Sequence, residues 1–304
     1  MVKALAKEWG YQPNMVASNL RTNSTNTIGI IVSTVNKPFI SSLISGVEQQ
    51  ANKNGYNVLI TQSYDSYQKE AADAKILFAN RVEGLVVALA METTDFTHFK
   101  QFLRKGVPLV FVDRVSKEFD SDKVTVDNFG AAYKATEHLI QQGCKLIAHF
   151  TGAQNVNVYH ERKRGYLEAL KKYGIPICEE LIIDTDNDSS EDGYRVTQHL
   201  LDLPEPPDGI YSPNDTTAVS AIQCAKKRGV NVPNDLAIVG TNDDPFSTII
   251  DPPLSTVALS AMDLGKIAVS QVLKRKAYYQ HMVKSEEIVL KTELIIRESS
   301  LRKR

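Results

Sequence analysis

The feature that most constrains this chain is an alternation, run through twice, of short apolar segments and amphipathic segments of helical period. IGIIVS (28–33), YNVLITQ (56–62), GLVVAL (84–89) and VPLVFVD (107–113) are compact runs rich in β-branched residues. Between the first two, Leu43, Ile44, Val47 and Ala51 recur at helical spacing until Asn54-Gly55 closes the segment, and further helices are expected around 67–80 and 95–105. Strands this apolar have no solvent face, so they read as a parallel sheet covered by helices on both sides. The pattern restarts with KLIAHFTG (145–152). It continues through a helix at 162–174, ELIIDT (180–185), a helix at 193–203, GIYS (209–212), a helix at 217–229 and LAIVGTND (236–243). Two such series predict an α/β chain of two doubly wound parallel-sheet subdomains, with a ligand crevice at the strand carboxyl ends. After Pro252-Pro253 only one helix (about 261–275) and the extended EEIVLKTELIIRES (286–299) remain. That is too little for another βαβ unit, so these elements are expected to return and complete the two earlier subdomains. The basic LRKR end reads as a solvated tail.

Composition narrows the function classes. A net charge of −1 gives the body no bias toward polyanions or membranes, so any nucleic-acid contact must be local. Cys144, Cys178 and Cys224 have no CxxC spacing, which argues against a zinc site or disulfide framework and fits the cytoplasm. MVKALAKEWGYQPN lacks the apolar core of a signal peptide, and no window approaches a membrane span. No GxSxG elbow, HExxH, P-loop or GxGxxG follows a strand, and the six histidines do not cluster. An enzyme, a metal and a cofactor are therefore not expected.

Ahead of the first strand, Pro13 blocks the preceding helix and Asn14 is a good N-cap for a second one. That second helix spans about two turns, well short of the ~12–15 residues that hold a helix alone in water. Val16 and Leu20 share one face at i, i+4, and a polar Thr/Asn/Ser linker leads to the first strand.

Several stretches in order resemble the lactose/galactose-repressor family of bacterial transcription regulators. They are GYQPNMVASNLR, KPF, RVEGLVV, VDNFGAAYKATEHLIQQG, RKRGYLEAL, SPNDTTAVSAI and VPNDLAIVGTNDDPFSTIIDPPLSTV. The body is also similar to the type I periplasmic sugar-binding proteins, and a solute-binding protein for sugar uptake is the alternative reading. The resemblance implies a homodimeric repressor of operator DNA, controlled by a small-molecule effector, a sugar or sugar derivative, held between two subdomains. It assigns 1–12 to the last helix of a shortened helix-turn-helix domain and 13–27 to a hinge helix and linker. The N-terminal subdomain becomes 28–127 plus about 256–285, and the C-terminal one 128–255 plus about 286–304. Asn14, Val16, Ala17, Leu20 and Arg21 would form the hinge, with Leu20 wedging into a minor-groove base step and Arg21 meeting phosphate.

Effector contacts are expected at the strand ends. Phe39 and Ile40 match the family's apolar wall, Asp113 and Arg114 end the fourth strand, and Arg162 matches the arginine of an RxxG element. Tyr211 and Asn214 flank the YSPND turn, with Asp215 as the helix cap. Asn242 stands where the family often has an aspartate, a change that leaves room for an acidic sugar. Asp188 lies near the family's aromatic platform, in an acidic stretch that also reads as a solvated loop, and Asp127 and Asn128 read as hinge residues between the subdomains.

Overall fold

The computed structural model describes Trp9 and residues 24–185, 188–277 and 284–303. The expected hinge helix (Asn14, Val16, Ala17, Leu20, Arg21) and the helix before it lie outside the described residues. The first subdomain begins with β1 (Thr27–Val32), α1 (Pro38–Lys53), β2 (Asn57–Gln62), α2 (Tyr67–Ala79) and β3 (Gly84–Val87). It continues with the short α3 (Lys100–Arg104), β4 (Leu109–Val112) and β5 (Asp122–Val126). The second holds α4 (Asn128–Gln141), β6 (Ile147–Thr151), α5 (Asn157–Lys172), β7 (Ile182–Asp184) and α6 (Ser190–Leu201). β8 (Gly209–Tyr211), α7 (Asp215–Lys227), β9 (Ala237–Asn242) and β10 (Ser255–Ala258) follow it. The chain then makes α8 (Ala261–Ala277), β11 (Glu287–Leu290) and β12 (Glu293–Ile295).

These strands form two six-stranded sheets, β11-β5-β4-β3-β1-β2 and β12-β10-β9-β8-β6-β7. Every pairing is parallel except β10 with β12. β1, β3, β4, β6 and β8 are buried along almost their whole length, whereas the edge strands β2, β11 and β12 keep one side toward solvent. Continuous apolar runs therefore mark the strands that are sandwiched between helix layers. β5 and β10 escape that signal: DKVTV and STVA are short and interleaved with polar residues, yet each pairs inside its sheet.

The chain crosses between subdomains three times, and two of the expected boundaries move. β10 pairs with β9, so the second crossing falls after Ala258 rather than near 256. β11 pairs with β5 while β12 pairs with β10, so the third falls after Leu290 rather than near 286. The terminal basic stretch is also not a free tail: Arg302 sends its guanidinium to the backbone oxygens of Pro233, Asp208 and Asp235, clamping it beside the Asp208 carboxylate. Among the described residues no helix is long and apolar enough to cross a membrane.

α8 returns to the first subdomain and lies against α1 in backbone contact. A Cβ on Gly46 would stand 2.0 Å from Met262 O, and one on Gly265 would stand 2.2 Å from Leu43 O. The two glycines thus let the helix backbones touch, because neither has a side chain as a spacer. Gly265→Val is expected to lower stability by about 1–3 kcal/mol, the usual result of overpacking. Urea unfolding measures the change, and an unaltered midpoint would contradict the close approach.

Candidate functional site

The carboxyl ends of the two sheets face one another, and between them lies a cavity of about 320 Å³. From the first subdomain its wall takes Ser33 after β1, Lys37 to Ile40 at the start of α1, and Asp113 and Arg114 after β4. From the second it takes Val158, Tyr159 and Arg162 of α5, Asp188 to Ser190 before and within α6, Asn214 before α7, and Asn242 and Asp244 after β9. The strand ends bend sharply to present these groups: Asp113, Asp188 and Asn242 have φ values of 62°, 52° and 117°. Asp and Asn tolerate this left-handed region better than most residues, and such conformations concentrate where function requires them.

Arg162 is 5% exposed and rigidly held. Its Nε donates to Asn128 Oδ1 at 2.9 Å and one Nη donates to Pro213 O at 2.6 Å. The RxxG spacing has a physical basis here. Gly165, one turn further along α5, lies where a Cβ would be 2.2 Å from Phe129 O. Only that close approach lets α5 bring Arg162 against Asn128 at the first crossing. Asn128 is in turn fixed by its own Nδ2 donating to Val126 O at 3.3 Å.

Asp113 is 8% exposed and faces the cavity. Burial pushes its pKa up, against the pull of Arg114 and Arg162. It is not the surface ion pair that a strand-terminal Asp-Arg might form, because Arg114 turns instead to Asp65. Asp188 does not belong to a solvated loop either. It accepts from the Tyr159 hydroxyl and, at 2.6 Å, from Thr185 Oγ1. Asn214, not Asp215, is the cap of α7: its Oδ1 accepts from Thr217 N at 2.8 Å. Asp215 is buried one residue further on, taking Thr256 Oγ1 at 2.6 Å and Asp244 N at 2.7 Å.

Eight of the nine expected effector residues therefore meet at one cavity. Tyr211 does not. It is fully buried in β8, stacked on His149 with ring centroids 4.9 Å apart, and His149 is kept neutral by burial, its pKa pushed down to about 3. Tyr159 and Val158 were not expected, because α5 begins at Asn157 rather than near 162. Counting back one turn from Arg162 would have found both.

The two subdomains also touch directly. Asn157 Nδ2 donates to Asp113 O at 3.2 Å, and Val115 N donates to Asn157 Oδ1 at 2.9 Å. Beside this pair Met91 packs against Val156, Val158 and Tyr159. One face of α5 thus lines the cavity while its first residue fastens the opposite subdomain.

Comparison with known proteins agrees with this architecture. A model of the periplasmic-binding-protein-like domain matches residues 136–300. The transcriptional repressor CytR of Escherichia coli K12 is 32% identical over 299 residues, covering 98% of this chain and 86% of that protein. The transcriptional repressor PurR of Actinobacillus pleuropneumoniae is 29% identical over 293 residues, covering 96% and 86%. Among solved structures, a LacI family transcriptional regulator from Enterococcus faecium with bound ribose aligns with a TM-score of 0.80 at 26% identity, covering 91% of this chain and all of that one.

Asp215 yields a pH test. Burial raises its carboxyl pKa to about 8 from an ordinary 3.8, ahead of the opposing hydrogen bonds from Thr256 and Asp244. The fold therefore prefers the neutral acid. Its contribution to stability is full below pH 4 and is lost as pH rises through about 8. Asp215→Asn keeps an acceptor for Asp244 N and a donor for Thr256, so its unfolding free energy is expected to fall less between pH 5 and 8 than that of the parent. Parallel slopes in urea titrations across that range would refute the assignment.

Proposed function

Because this chain belongs to the LacI family of ligand-responsive transcriptional regulators, we propose that the cavity is its effector site and that the effector is a neutral sugar or sugar derivative. The observation that carries this reading is a held guanidinium, Arg162, and a largely buried carboxylate, Asp113, on opposite walls of one half-open cavity. Vicinal hydroxyls suit both. They donate to Asp113 and Asp188 and accept from Arg162, while Asn242 does both. Phe39, Ile40, Val158 and Tyr159 offer apolar surface to the C–H edges of a ring. The volume of about 320 Å³ lies at the small end of ligand pockets, roughly 300–1,000 Å³, and suits a monosaccharide or a nucleoside. The lining carries Lys37, Arg114 and Arg162 against Asp113, Asp188 and Asp244, so no net charge calls for an acidic sugar, and a neutral one is the simpler fit. The bound ribose of the Enterococcus faecium regulator makes D-ribose the first compound to try.

On this reading the effector acts by population shift. Its contacts to both walls favour the closed arrangement that Asn157 already fastens, and closure resets the spacing of the N-terminal subdomains in a homodimer. That spacing governs whether two copies of the Val16–Leu20 segment pair on operator DNA. A helix of about two turns is marginal alone, so a small change in geometry decides its state. A solute-binding role in uptake would leave the hinge sequence without a purpose.

Thermal shift against a panel of neutral sugars, sugar acids and nucleosides identifies the ligand through stabilisation of the folded chain. Arg162→Ala is expected to weaken binding by roughly 10- to 100-fold, as loss of charged hydrogen bonds does, and Asn128→Ala by roughly tenfold through the misplaced guanidinium. Calorimetry measures both, and full affinity in Arg162→Ala would sink the site. Leu20→Ala is expected to weaken operator binding by roughly tenfold or more while leaving sugar affinity unchanged. Gel shifts beside calorimetry check that separation.

A further inference from the structure

The polar linker that joins the expected hinge helix to β1 meets the body at one side chain. Glu83, the residue before β3, accepts from three successive linker residues: the Ser24 hydroxyl, Thr25 N at 2.6 Å and Asn26 N at 2.9 Å. Its other oxygen receives Lys276 from the end of α8, and Lys276 also donates to Tyr56 Oη at 2.7 Å. Two weaker fastenings flank the carboxylate. Thr25 Oγ1 donates to Arg81 O at 2.8 Å, and Asn57 N donates to Asn26 O at 2.8 Å.

The side-chain contacts lie outside the sheet ladder. Glu83 gives the ladder only its backbone N–H, to Thr27 O at 2.7 Å, while β3 is fully buried and paired on both sides, and the linker residues that the Glu83 carboxylate holds precede β1. A carboxylate that accepts two backbone N–H groups and a hydroxyl grips a chain whatever its side chains, as a capping residue grips a helix end. The salt bridge from Lys276 keeps that carboxylate ionised and pointed. Burial opposes its charge, but Lys276, Ser24 and the Asn26 amide hold its pKa below the usual carboxylate value.

We propose that Glu83 is the docking site of the DNA-hinge linker on the ligand-binding body, with Lys276 as its positioning residue. The location gives the contact its importance. Lys276 ends α8, α8 lies in backbone contact with α1 through Gly46 and Gly265, and the first turn of α1 forms part of the cavity wall. The linker is thereby tied to a pair of helices of which one, α1, also lines the cavity. That importance rests on the regulator reading above, whereas the docking itself does not.

Amide hydrogen exchange on the full, ligand-free chain tests it. Glu83→Ala is expected to raise exchange at the Thr25 and Asn26 amides by roughly tenfold. Glu83→Gln, which has one acceptor oxygen in place of two, is expected to give a smaller rise. Ser24→Ala alters only the linker side and is expected to raise exchange slightly alone but to add nothing to Glu83→Ala. Leu85, Val86 and Val87 amides are the control. They are expected to stay as in the parent, because the pairing of β3 uses none of the Glu83 side-chain contacts. Unchanged protection at Thr25 and Asn26 in Glu83→Ala would overturn the proposal. So would a rise shared by the β3 amides, which would make Glu83 a structural residue of the sheet. A parent chain that ignores every sugar would instead count against the effector reading and leave the exchange comparison decisive.

Discussion

The guanidinium of Arg162 is the interaction on which the second subdomain's wall of the cavity turns. It belongs to α5 of the second subdomain, but its hydrogen bonds go to Asn128 at the first crossing and to Pro213 at the turn from β8 into α7. A buried cation of this kind is tolerated only when fully hydrogen-bonded, so its surroundings are built to a single geometry. Gly165 brings α5 close enough, Asn128 is itself tethered to Val126 O, and the resulting frame leaves the remaining N–H groups of Arg162 for a ligand.

The cavity lining mixes completed and open pairings. Asp113 lines it from the first subdomain, while on the wall of Arg162 itself Asp188 is satisfied by Tyr159 and Thr185, and Asn214 spends its oxygen on a helix cap. The division separates groups that scaffold the cavity from groups open to a ligand. It also explains why charge alone says little about the ligand: three carboxylates and three cations line the space, but most are engaged with protein.

How far the sequence carried depended on how each element is built. Strands covered on both faces announce themselves as apolar runs, so β1, β3, β4, β6 and β9 could be read directly. DKVTV and STVA could not, because their places are set by pairing with neighbours distant in sequence, and the crossing points moved with them. Strand-end residues were legible as a class, since the topology of parallel sheets puts them at the crevice. Which of them face the ligand was not: Tyr211 and Asn214 are three residues apart on one turn, and burial in the core claims only Tyr211. Tyr159 went unseen because helical period was read from charged residues further along α5. Asn214 and Asp215 exchanged roles for a local reason, as both are good caps and only the backbone decides which sits at the boundary.

The late return of the chain has a consequence for how the protein is made. β5 acquires its outer neighbour only when residues 287–290 are available, and β10 acquires its own only with residues 293–295. α8, which covers the buried face of the first subdomain beside α1, is likewise encoded after the entire second sheet except its last strand. A ribosome-bound chain therefore carries both sheets one strand short, with β5 and β10 as temporary edges, until residues 287–295 emerge. Contacts of such long sequence separation form slowly, and open edges invite pairing with other chains. Losing residues 287–295 would therefore strip a strand from both sheets at once, since one short stretch of chain completes each of them.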